Sequence, residues 1–168
     1  MTQLYANPYD MDAKGFYFES AEEYGEKART LRNAWGNPVE ELEIEFIEGE
    51  AIDAQLFAVL RLQPAQIEAF FTAVETWDEN TKTRVIIAVG EVGYPFNIDI
   101  DDPEGFDVDL YNLDTYADLA QHFLDEGLFG PIPENLQNYI DCEAIGRDLR
   151  VDYGSIEVAG THYFYRCD

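Results

Sequence analysis

The clearest pattern along the chain is the strict alternation from Glu41 to Ile47, where Leu42, Ile44 and Phe46 interleave with Glu41, Glu43 and Glu45. A period of two predicts a half-buried strand over Glu41–Ile47. Shorter strand signals lie at Gln3–Ala6 and Phe16–Glu19, and two more, Ser155–Val158 and Thr161–Tyr165, are joined across Ala159-Gly160 as a short hairpin. Elsewhere the period is helical. Tyr24, Ala28, Leu31 and Trp35 share one face of a helix predicted over Ala21–Ala34, with Ser20 and Glu23 at capping-box spacing and Gly36 placed to close it. Asp53 caps a helix through Leu60, and Pro64 opens another to about Thr76 that turns Ile67, Phe70, Phe71 and Val74 inward. Val85–Val89, a continuous apolar run ending at Gly90, predicts a buried strand, followed by an acidic loop. Asp114 caps a helix through Glu126 carrying Tyr116, Leu119, Phe123 and Leu124, stopped by Gly127; short helices follow near Glu134–Tyr139 and Cys142–Leu149.

These elements define an α+β class, with small sheet-and-helix units at both ends and a helical middle part. The expected division is an N-terminal sheet-plus-helix unit over 1–52, a mainly helical middle unit over 53–110 with one strand and an acidic loop, and a C-terminal α+β unit over 111–168. No internal repeat or Gly/Ser/Pro-rich linker interrupts them.

Charge changes the picture. Among 168 residues, 35 Asp and Glu face 10 Lys and Arg, for a net charge of -25. With 46% hydrophobic and 14% aromatic residues the chain can still bury a core, so the acidity does not imply disorder. Self-repulsion on this scale points to a basic partner, to metal binding or to solubility, and argues against direct nucleic-acid binding, because phosphates would be repelled. No 18-residue apolar stretch and no secretory leader pattern is seen, and Cys142 and Cys167 stand outside any CxxC or Cys/His cluster. The expectation is a cytoplasmic protein with reduced, inert thiols and no zinc.

Candidate chemistry is sparse. Same-face carboxylates on the Glu41–Ile47 strand repeat every ~6.6–6.8 Å, close to two ~3.4 Å steps along a DNA strand. Any half-buried strand of an acidic protein also exposes glutamates. The run Asn97–Asp109 invites a calcium reading, yet an EF-hand count from Asn97 puts Asp102 at the glycine position and Val108 at the bidentate-glutamate position. A soluble acidic calcium- or divalent-metal-binding protein stays as the alternative. His122 and His162 are the only imidazoles, and no nucleophile motif accompanies them; Gly90-Glu91-Val92-Gly93 lacks the spacing and lysine of a phosphate loop. No catalytic residue, metal ligand or cofactor is predicted, and the chain is expected not to be an enzyme.

Particular stretches nonetheless resemble one family. Gly15–Ser20, Asn37–Ile44 and Thr83–Gly90 are similar to segments of the ArdA antirestriction proteins, and so are Leu119–Gly130, Ile132–Leu136 and Tyr139–Leu149, with the order of segments kept across essentially the whole chain. The resemblance implies an elongated, modular α+β protein that dimerises through its C-terminal part. It further implies carboxylates displayed like the phosphates of bent duplex DNA, to inhibit type I restriction-modification enzymes on behalf of plasmids and transposons. The implied partners are the methyltransferase core of such a complex and a second copy of the chain, with no membrane. The mimic surface would draw on Glu40, Glu41, Glu43, Glu45, Glu48 and Glu50, on Asp99, Asp101, Asp102, Glu104, Asp107 and Asp109, and on Asp125 and Glu126. The dimer contact would draw on Leu119, Phe123, Leu128 and Phe129, within the family's antirestriction motif, which maps to Leu119–Gly130. Cys142 departs from the aromatic residue usual at its position and alters the expected local packing. The charge agrees in scale: 25 net charges match roughly 42 Å of duplex at one per ~1.7 Å.

Overall fold

The computed structural model describes residues 1–168, which form two compact units, Met1–Phe106 and Asp107–Asp168. Each contains one three-stranded antiparallel sheet and helices, so the chain is α+β.

In the first unit, β1 (Gln3–Pro8) lies between β2 (Phe16–Phe18) and β3 (Leu42–Glu48). The alternating pattern sets which side chains are buried: Leu4, Ala6, Phe18 and Leu42 go to the core, while Glu41 and Glu43 stay in solvent. Helix α1 (Ala21–Thr30) starts at Ser20, whose hydroxyl accepts from the Glu23 amide at 3.1 Å. It stops four residues before the expected end. The Asn33 side-chain carbonyl accepts from the amides of Trp35 and Asn37 at 3.0 and 2.9 Å, and Gly36 sits at φ 81°. This local turn competes with helical hydrogen bonding. Trp35 is therefore exposed, its indole N–H donating to Asp12, rather than part of a helical stripe.

Helix α2 (Ala51–Leu60) begins after Glu50, whose side chain makes no capping bond, so Asp53 is not a cap but a buried residue of the first turn. A turn of tight helix at Pro64–Gln66 leads into α3 (Ile67–Thr76), which buries Ile67, Phe70 and Ala73. Asp78 then caps α4 (Glu79–Val85), and the backbone continues as a wide π-helical segment, Ile86–Val92, ending at Gly93 with φ 84°. The apolar run Val85–Val89 is thus helical rather than a strand. Buried on several sides at once, Thr81–Thr83 and Val85–Ala88 show no amphipathic stripe, and a run this short does not discriminate the two periods.

The second unit orders its strands β4 (Val108–Tyr111), β6 (Thr161–Cys167) and β5 (Gly154–Val158), where β4 arises from what reads in sequence as the end of the acidic loop. Ala159 and Gly160 both have positive φ, the geometry of a two-residue hairpin turn. Helix α5 (Tyr116–Asp125) is capped by Thr115, not Asp114, in a reciprocal box with Asp118. A 3-10 turn over Glu134–Tyr139 precedes α6 (Cys142–Leu149). Leu119, Phe123 and Phe164 form the core, with Tyr111, Tyr116 and Tyr153 packed around it. Gly146 lets α6 approach α5 closely: a Cβ there would sit 2.9 Å from the Tyr116 backbone carbon.

Candidate protein-binding surface

Even if all 10 cations were paired, 25 of the 35 carboxylates would lack an internal counter-charge. Their placement follows from the elements that carry them. Glu43 on β3 and Glu41 just before it are exposed, whereas Glu45 is half-buried and accepts from the Asn7 side-chain amide at 3.0 Å. Glu40, Glu48 and Glu50 extend this exposed set at the ends of the strand.

Asp99, Asp101, Asp102 and Glu104 occupy a loop that their own backbone amides organise. Asp101 accepts from the Asn97 amide at 2.6 Å, Asn97 from the Asp99 amide at 3.0 Å, and Asp102 from the Glu104 amide at 2.9 Å. The loop is pinned to the turn before α3 by the Gln66 side-chain amide, which donates to the Asn97 side chain at 3.2 Å. The exposed carboxylates therefore project from a defined scaffold. No group of three or more His, Cys, Asp or Glu is gathered so as to hold a metal ion.

In the second unit Asp107 and Asp109 flank buried Val108 at β4, and Asp125 and Glu126 end α5, all exposed. Asp125 accepts from Gln121 one turn earlier, at 2.9 Å. The four apolar residues expected at a dimer contact divide into two pairs. Leu119 and Phe123 are enclosed in their own unit's core, so they cannot reach a second copy; Leu128 and Phe129 are 64% and 51% exposed. Leu136 and Tyr139 are exposed on the following segment as well. Near them, Leu124, Ile132, Ile140 and Cys142 line a hollow of about 470 Å³. The Cys142 thiol donates to Gln121 at 3.4 Å; Cys167 is half-buried, and burial pushes its thiol pKa up.

His162 contacts Ser155 Oγ at 2.7 Å through one ring nitrogen and the Leu113 carbonyl at 2.6 Å through the other. This resembles a nucleophile, base and orienting group, but neither Ser155 nor His162 lines the hollow named above, and the bonds tie β5, β6 and the start of the α5 loop together. His122 packs edge-on to Tyr111. No helix is long and apolar enough to cross a membrane.

One arrangement gave no sequence signal. Asp53 and Lys82 are buried together at 2.7 Å, and Lys82 also donates to the Val74 carbonyl at 3.0 Å, tying α2, α3 and α4. Polar neighbours on both sides of Lys82 read as surface.

A family model described as antirestriction protein (ArdA) matches residues 8–164 of the chain. No curated relative matches it.

Proposed function

Because the chain belongs to the ArdA antirestriction family, we propose that it inhibits type I restriction-modification enzymes by occupying the groove that otherwise holds duplex DNA. Its carboxylates take the place of phosphates and meet the Arg and Lys of the methyltransferase core through charge-assisted hydrogen bonds. The observation that carries this reading is the excess of exposed, uncompensated carboxylates held on ordered elements. An enzyme would instead gather a few polar groups around one reacting atom. The chain acts as a stoichiometric inhibitor in the cytoplasm, needs no cofactor, and protects incoming mobile DNA. It pairs with a second copy through Leu128 and Phe129.

Titrating purified methyltransferase core with the protein at several salt concentrations tests the reading. Affinity should fall steeply with salt, and duplex DNA should compete for the same site. A salt-independent affinity, or simultaneous binding of DNA and protein, would refute it.

A further inference from the structure

We propose that the free edge of β3 docks an extended partner segment of alternating basic and apolar residues, which joins the first unit's sheet as a fourth strand. The inference goes beyond the mimicry reading: phosphate-like carboxylates require only cations, whereas a strand edge requires a backbone.

Three observations converge on this edge. The strand order β2-β1-β3 leaves one side of the seven-residue β3 without a neighbouring strand. The ladder to β1 also fixes which groups face outward. The Tyr9 amide donates to the Glu41 carbonyl, and the register Pro8↔Leu42, Asn7↔Glu43, Ala6↔Ile44 continues from there. By antiparallel alternation Glu41, Glu43 and Glu45 turn their amides and carbonyls toward β1, while Leu42, Ile44 and Phe46 turn theirs to the open side. Finally, a groove of about 590 Å³ runs beside the edge, with Leu42, Ile44, Phe57, Leu62 and Pro64 among its lining and Glu40, Glu41 and Glu43 also facing it.

Charge selects the occupant. Two β3 strands placed edge to edge would set glutamate against glutamate, and each copy carries a net charge of -25, so a second copy is disfavoured. A segment that alternates Lys or Arg with Val or Ile places cations beside Glu41 and Glu43 on one face and apolar side chains over the groove on the other. Backbone hydrogen bonds supply the common term and the two faces supply the discrimination. Arg61 also lines the groove, so a cation at that end of the segment is excluded.

The test uses the isotope-labelled full chain at physiological salt, titrated with a capped peptide alternating Lys with Val over the length of β3. Parallel titrations use its two alternately N-methylated forms, which keep the charge but remove half of the backbone donors each. Resonance shifts should concentrate on Leu42–Glu48 and Phe57–Pro64, and the amides of Leu42, Ile44 and Phe46 should exchange more slowly. One methylated form should bind at least tenfold more weakly. Absence of binding, shifts spread over the acidic loop as well, or equal affinity for all three peptides would overturn the proposal. These outcomes are independent of the restriction-enzyme titration, which reads a different partner.

Discussion

Replacing Lys82 with Met isolates what the buried ion pair contributes. Lys82 and Asp53 are 6% and 3% exposed at the side chain, so the methionine leaves a carboxylate enclosed without a cation. Breaking a buried pair by removing one partner costs about 3–5 kcal/mol. That is a large share of the 5–15 kcal/mol typical of a domain. Urea unfolding followed by tryptophan emission is the assay. Trp35 and Trp77 both lie in the first unit and the chain has no other, so the signal reports that unit alone. Pairing Lys82→Met with Asp53→Leu should bring stability back to within about 1 kcal/mol of the native chain. A loss below about 1 kcal/mol at pH 7, or a double variant no more stable than Lys82→Met alone, would refute the reasoning.

Further outcomes follow from other sites. Neutralising one exposed carboxylate, as in Glu43→Gln or Asp107→Asn, should change inhibition by less than about 1 kcal/mol, while combined changes at Glu41, Glu43, Asp99, Asp101, Asp102 and Asp109 should accumulate; a single variant that abolishes inhibition while folded would point to a catalytic or metal-ligand carboxylate. Gly146→Ala should destabilise the second unit by about 1–3 kcal/mol, read by hydrogen exchange of α5 and α6, because its Cβ meets the Tyr116 and Ala117 backbone at 2.9–3.0 Å. Phe129→Asp should give a folded monomer by analytical ultracentrifugation and circular dichroism; an unchanged dimer would place the contact elsewhere. Hydrogen bonds from the Thr81 backbone hold the Asp78 carboxyl below its ordinary range, so this contribution is present above about pH 4 and is lost as pH falls through the lowered value; Asp78→Ala should flatten that part of the acid melting profile.

Much of the fold was legible where one face of an element is buried and the other wet. The Leu42-Ile44-Phe46 alternation, the Ser20 cap and the Ala159-Gly160 turn all express local rules that tertiary contacts then reinforce. Legibility failed where burial surrounds an element. Val85–Ala88 is enclosed within a helical run, so periodicity carries no signal there, and the burial of Lys82 depends on Asp53, 29 residues earlier. Of the candidate surface, composition already fixed the excess of acid, and strand alternation fixed the Glu41 and Glu43 face. Which of Leu119, Phe123, Leu128 and Phe129 remain exposed was not legible, because the helical stripe of Leu119 and Phe123 on α5 is the same whether it meets a core or a partner, and Leu128 and Phe129 lie beyond the helix, where no period applies.

The π-helical segment Ile86–Val92 carries a consequence for how the first unit opens. Its hydrogen bonds span five residues rather than four, and Ile86, Ile87 and Ala88 are its most enclosed residues. Amide protection in this stretch therefore measures how often the surrounding side chains part, not how firmly the backbone is bonded. A one-residue deletion inside it can be absorbed by tightening the coil to an α-helix, so the acidic loop that follows keeps its anchor on Gln66.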